Sequence, residues 1–285
     1  MLPLVFAMFA CGGLYDTGGS IDDSDDTDVV DYPDTGDTDV EVGTDTGEPD
    51  DTDVDPGDVF GCHAWDPVEL DGWTRVYDVK YKAKKGTETH TGAGLDVDSD
   101  GNPMFIVDIE SGVEGAAAGT YGYACDLDEP GAYLTEANTS MSLGMLGELP
   151  ILITNNPAYR YLPGAGTIGS EGSWEYSYSK SMAIEGLPLE LPMSGLFVEM
   201  GFESVTTPAG TFKNAYHVTE TYTEDRSALS MFEMLGIDAS NIEAFSDRWY
   251  VEGIGLVKEK TVDVNDPSVV LSEHVLKSFK GLTAK

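Results

Sequence analysis

The chain has 285 residues, with 52 acidic against 15 basic side chains and a formal net charge of −37. So strong a negative balance repels phosphate backbones and argues against nucleic-acid binding. The charge is unevenly spread: residues 12–58 hold 18 of the acids and no Lys or Arg, leaving 34 acids and 15 bases elsewhere.

Residues 1–11, Met1-Leu2-Pro3-Leu4-Val5-Phe6-Ala7-Met8-Phe9-Ala10-Cys11, form an apolar run. It is far shorter than the roughly 20 residues that cross a bilayer as a helix. It supplies the apolar segment of a secretory signal, although the basic residues that usually open one are missing. Met8-Phe9-Ala10-Cys11-Gly12-Gly13 resembles a lipobox, in which the Cys is diacylated and becomes the mature N-terminus. Met8 and Phe9 depart from it, standing where Leu and a small residue are usual. The expectation is a lipoprotein held to a membrane through Cys11, and Gly12 resembles the residue that follows the Cys in lipoproteins sent to the outer membrane of Gram-negative bacteria.

Residues 12–58 are built mainly from Asp, Thr, Gly, Val, Glu and Pro. Low hydrophobicity with charge of one sign cannot bury enough apolar surface to offset chain entropy, so a disordered acidic tether is expected. Its composition resembles the Asp/Thr-rich linkers of surface lipoproteins in predatory and social Gram-negative bacteria. Residues 59–285 are left for one globular domain. Cys62 and Cys125 fall within it, and in an oxidising compartment an even pair reads as a disulfide.

From Trp73 onward, short alternating segments are broken by Gly, Pro, Asn and Asp, the pattern of antiparallel β-structure. Strands are predicted over 74–82, 87–95, 104–110, 119–125, 132–137, 173–184, 196–205, 211–223, 247–262 and 269–279. Met141–Ile153 reads as an apolar stretch leading into a Pro- and Gly-rich crossing segment that ends at Gly172. Helix-like spacing of Leu229, Phe232 and Leu235 predicts a short helix over Ser227–Leu235, with a second over Ser240–Ser246. Gly253 and Gly255, inside the strand predicted over 247–262, mark a bulge or a close backbone approach.

Two further segments carry a family resemblance. Val205-Thr206-Thr207-Pro208-Ala209-Gly210-Thr211-Phe212 and Trp249-Tyr250-Val251-Glu252-Gly253-Ile254-Gly255-Leu256-Val257-Lys258 resemble motifs of DUF3108-like or TapB-type bacterial envelope proteins. Leu149-Pro150-Ile151-Leu152-Ile153 followed by Gly172-Ser173-Trp174-Glu175-Tyr176 is similar to a third motif of the same group. Thr207 replaces the usual Val. The resemblance covers about half of the domain and implies a mainly β fold, a curved antiparallel sheet or half-barrel, without bringing a catalytic residue.

Three motifs invite chemistry. Gly164-Ala165-Gly166-Thr167-Ile168-Gly169 spells a dinucleotide fingerprint but leads into a strand, where no helix N-terminus could receive a pyrophosphate. Asp96, Asp98 and Asp100 followed by Gly101 resemble the start of a calcium loop without its twelfth-position acid, and ordinary turn chemistry explains the same residues. Ser170 and Ser194 lack the Gly-x-Ser-x-Gly setting of a nucleophile elbow. His63, His90, His217 and His274 are dispersed, and no cofactor is implied.

The leading reading is a non-enzymatic envelope lipoprotein whose curved sheet holds an apolar ligand against Trp174, Tyr176, Phe197 and Trp249. The alternative is a structural or protein-interaction module displayed on the tether, its concavity filled by its own aromatics. A hydrolase is the third.

Overall fold

The computed structural model describes residues 64–98, 101–113, 118–125, 127, 129–142, 148–184, 187–235 and 239–285. The leader with Cys11, the acidic tether, Cys62, His63 and Asp100 lie outside the described residues. The strands are β1 (Thr74–Tyr81), β2 (Lys84–Val97), β3 (Pro103–Ser111), β4 (Gly119–Cys125), β5 (Gly131–Ser142) and β6 (Glu148–Pro163). They continue as β7 (Ser173–Ile184), β8 (Leu187–Thr207), β9 (Gly210–Glu224), β10 (Ile242–Val251), β11 (Gly255–Asp263) and β12 (Val270–Lys280).

Each strand pairs antiparallel with its sequence neighbours, and β1 also pairs with β12, from Thr74 opposite Lys280 to Tyr81 opposite Ser272. The expected curved sheet or half-barrel is therefore a closed barrel. Closure removes the two exposed edges that an open sheet would present to other chains.

Period-2 patterning decides which residues face inward. On β1 the buried positions are Arg75, Tyr77, Val79 and Tyr81, and on β10 Ala244, Ser246, Arg248 and Tyr250. The outward face of β7 reads Ser173, Glu175, Ser177, Ser179 and Ser181, while β11 presents Lys258 and Lys260. Membrane-spanning barrels carry an apolar band outside and a polar lumen. Here most large apolar residues are buried, with Leu95, Val97, Leu152, Leu196, Met200 and Phe202 exposed on β2, β6 and β8.

Three sequence expectations need correction. Within the segment read as an apolar stretch and a crossing, Met141 and Ser142 close β5 and Glu148–Pro163 is β6, whose prolines concealed it. Pro163 is its last residue, and Pro157, preceded by a cis bond, lies in the excursion Asn155–Ala158. There β6 leaves the β5 ladder, between the Glu136–Thr154 and Leu134–Tyr159 pairs, so Pro157 removes no ladder donor, while Pro150 stands within the ladder opposite Ser140.

The single strand expected over 247–262 is two, β10 and β11, because Gly253 (φ 78°) and Gly255 (φ 92°) turn the chain between them. Of the two expected helices, Ser227–Leu235 is a 3-10 helix, and 240–246 runs into β10, where Ala244 and Ser246 keep strand alternation. No α-helix occurs among the described residues.

The segment preceding β1 packs against the barrel. Trp73 is fully buried, and its carbonyl accepts from the Gly92 amide of β2. A Cβ on Gly92 would lie 2.4 Å from Trp73 Nε1 and 2.7 Å from the Leu70 carbonyl oxygen. Gly92→Ala is expected to cost about 1–3 kcal/mol, the usual range for overpacking, and to lower the urea unfolding midpoint with little change in slope.

Candidate functional site

The barrel encloses a belt of charged side chains, each set inward by strand alternation. Arg248 on β10 is its hub. Arg248 Nη2 lies 2.7 Å from Glu220 Oε2 of β9, and Nε donates to Glu259 Oε1 of β11 at 2.8 Å. Its Nη1 donates to Tyr159 Oη at 3.0 Å, and Tyr159 donates to Glu220 Oε1 at 2.7 Å. Tyr176 of β7 donates to the same Glu220 oxygen.

From Glu259 the belt continues through His274 of β12, whose Nδ1 is 3.4 Å from Glu259 Oε2 and whose Nε2 is 3.4 Å from Glu88 Oε1. Glu88 also meets His90 Nε2 at 2.7 Å. Two satellites stand apart: Asp66 takes Arg75 Nη1 at 2.8 Å and the Tyr161 hydroxyl at 2.9 Å. Glu224 takes Lys180 Nζ at 2.6 Å and Arg226 Nε at 2.7 Å.

Burial alone would neutralise such groups, so their pairing sets their titration. Desolvation pushes the Glu259 carboxyl up, but Arg248 and His274 outweigh it and hold the group down at about 2. Lys180 and Arg226 likewise outweigh burial to hold Glu224 at about 2. For His274, burial disfavours the charge, yet Glu88 and Glu259 raise it to about 10. His90 moves the other way, lowered chiefly by burial. Glu224, Glu259 and His274 are therefore charged at neutral pH, and His90 is neutral.

Three of the four residues expected to line a concavity meet inside. Trp174 stacks on Phe197 with centroids 4.8 Å apart, and Tyr176 lies 5.5 Å from Phe197. They pack on one another and on Tyr159. Trp249 faces the opposite way, stacked on His217 at 4.4 Å, with Nε1 donating to Glu203 at 2.6 Å. Among the described residues, one hollow of about 40 Å³ lies in the interior, lined by Arg75, Tyr77, Tyr123, Tyr161, Arg248 and Tyr250 among others. That is room for water molecules only.

The other singled-out motifs resolve into local structure. Asp98 accepts from the Asn102 amide (2.8 Å) and side chain (3.0 Å), and Asp96 from the Val97 amide (2.9 Å), as turn residues do. No group of three His, Cys, Asp or Glu side chains is set to hold a metal ion among the described residues. The glycine-rich loop is pinned by Glu199, which accepts from the Gly169 and Gly172 amides at 2.8 Å each. Ser170 donates to the Thr167 carbonyl, and the Ser194 hydroxyl pairs with that of Thr223. Cys125 is buried at the end of β4.

The belt residues escaped the sequence reading. Parity was the available signal: Arg248 shares its strand face with Ala244 and Tyr250, and Glu88 precedes His90 by two. A charged residue in register with apolar ones needs a buried partner.

No protein-family model matches the chain, and no curated protein does. The DUF3108-like resemblance rests on its motifs alone. Three solved structures are similar, each aligning over 74% of this chain. One is a candidate lipoprotein from Parabacteroides distasonis, with TM-score 0.45, 17% identity and 96% of that chain covered. Another is a candidate exported protein with a YmcC-like fold from Bacteroides fragilis, with TM-score 0.48, 15% identity and 97% coverage. The hypothetical lipoprotein YmcC from Escherichia coli gives 0.33, 10% and 86%.

Arg248→Met strands two buried carboxylates, and a loss of about 3–5 kcal/mol in chemical denaturation is expected, the range for breaking a buried pair. Stability should also fall at both ends of the pH scale. Glu259, depressed in the folded state, contributes above its ordinary value near 4.5, and that contribution fades as pH drops towards 2. His274, raised, contributes fully below 6.5 and loses its contribution as pH rises through about 10. Urea midpoints measured across pH check both limbs, and His274→Gln should flatten the alkaline one.

Proposed function

We propose that this chain is a non-enzymatic lipoprotein of the cell envelope, anchored through Cys11, whose barrel is a self-filled module displayed on the acidic tether. The observation that carries this reading is the filled interior. Ligand pockets for drug-sized molecules measure about 300–1,000 Å³, against about 40 Å³ inside this barrel.

An apolar ligand entering the lumen would displace Trp174, Tyr176 or Phe197 from their mutual contacts and open the ion pairs of Arg248 to an apolar neighbour. The reading in which the sheet holds an apolar ligand therefore lacks support from the geometry. What favours display is the outward surface: short polar side chains on β7, lysines on β11, and a strongly negative chain overall. Such a surface keeps a tethered domain soluble and clear of anionic headgroups. Export to an oxidising compartment also suits a bond between Cys62 and Cys125, which we include in the proposal.

The anchor is tested by metabolic labelling with a fatty-acid analogue. The full chain should take up label and fractionate with membranes, and Cys11→Ser should lose both; an unlabelled, soluble full chain would reject the lipoprotein reading. Native mass spectrometry of the purified protein should return the mass of the lipidated mature polypeptide and nothing more, short of two hydrogens for the Cys62–Cys125 bond. A non-covalent apolar molecule retained through purification and released on denaturation would replace the self-filled reading with the carrier one.

A further inference from the structure

The basic side chains are distributed far more narrowly than the acidic ones. Of the 15, Arg75, Lys180, Arg226 and Arg248 are buried with their acids, and Arg160 is held by Glu129 and Glu171. The other ten are all lysines, and eight of them fall on β11, β12, β1, the start of β2 and the turn between β1 and β2. Those strands stand side by side in the barrel, in the order β11, β12, β1, β2. One wall of a strongly acidic chain is therefore basic.

Strand parity turns most of these lysines outward. Lys80 lies between the buried Val79 and Tyr81, and Lys258 and Lys260 flank the buried Glu259. Lys85, Lys277 and Lys280 are exposed. The register sets Lys85 opposite Lys80, and Glu273 opposite both Lys80 and Lys260. Like charges directly opposite one another in a ladder oppose folding, so the Lys80–Lys85 pair is a local strain that a bound anion would offset. Outside the core, the acids of this wall are Asp78, joined to Lys277 at 2.9 Å, Glu273, and Asp263 at the end of β11. On either side the surface turns acidic again, with Asp108 and Glu110 exposed on β3 and Glu243 exposed on β10.

We infer that this lysine wall docks an acidic segment of a partner protein, an extended run carrying Asp or Glu at alternate positions and laid along the strands. Charge complementarity calls for an anion, and width separates this one from a membrane. Four strands at ~4.8 Å spacing make a face about 15 Å across, and a broad plane of anionic headgroups would also meet the acids of β3 and β10. Spacing favours a polypeptide over other linear polyanions. Alternate carboxylates of an extended chain recur every ~6.7 Å, the repeat that separates Lys258 from Lys260 along β11. The inference rests on the display reading, for which it names the face a partner meets. Its test is made without the lipid, so a failure there leaves the anchor and the filled interior to their own tests.

The experiment uses the full chain as Cys11→Ser, so that no lipid contributes. It is titrated with a peptide of alternating Glu and Ser, with the Gln counterpart of that peptide, with phosphatidylglycerol vesicles and with oligogalacturonate. Saturable binding of the Glu peptide is expected, shifting the amide NMR signals of Lys80, Lys258 and Lys260 and weakening as salt is raised, with the Gln peptide silent. Lys80→Gln and Lys260→Gln should each weaken binding about two- to fivefold, the range for exposed ion pairs, in variants that stay folded by circular dichroism. Ser177→Glu makes the same change of net charge on β7, across the barrel, and should leave the affinity unchanged. No binding of the Glu peptide at low salt, or an unchanged affinity in the folded lysine variants, would overturn the inference. So would equal weakening by Ser177→Glu, which would trace binding to net charge alone, or binding of the vesicles or of oligogalacturonate as tight as that of the peptide.

Discussion

Arg248 is the constraint on which the interior depends. Its guanidinium joins carboxylates from the two strands flanking β10 and reaches across the lumen to Tyr159 on β6. A planar fork with five donors can satisfy several partners in fixed directions, as a lysine could not. Through Glu259 and His274 the same chain of contacts reaches Glu88 on β2, so strands on opposite sides of the barrel share one electrostatic unit. A buried ion network is weak evidence for net stability, since apolar replacements of equal volume often do as well. Its contribution here is geometric: it fixes which strands oppose one another across the lumen.

Around that belt the aromatic side chains fill what the charges leave. Trp174, Phe197, Tyr176, Tyr178 and Tyr159 form a contiguous set of ring contacts. Two of these tyrosines carry their hydroxyls to Glu220, so a single residue serves both packing and polar satisfaction. The outcome is an interior packed largely with its own side chains.

Most of the β-structure was legible because half-buried strands advertise themselves by alternation, and β4 and β7 fall where alternation and the Gly and Pro punctuation place them. β6 was not, because its prolines signal a crossing to any local reading, and only the neighbouring strands reveal that Pro157 sits where pairing with β5 lapses and that Pro150 is held opposite Ser140. Closure was also hidden, since the pairing of β1 with β12 depends on strand count and stagger rather than on any short motif. The aromatic half of the interior could be read from the stripe at Trp174, Tyr176 and Tyr178. Trp249 was open to the same reading, since alternation along β10 sets Arg248 and Tyr250 inward and Trp249 on the opposite face. The ionic half needed the question of what a charge at an inward position pairs with.

The ladder that joins β1 to β12 brings Thr74 opposite Lys280. Every other ladder in the barrel forms between strands adjacent in sequence and can assemble as the chain emerges. This last one cannot: the first strand keeps an open edge until the final strand has been made. Because non-local pairing must be preceded by the entropic cost of closing a long loop, completion of the barrel is the slow and late event of folding. The barrel therefore cannot lock before its C-terminal strand is in place.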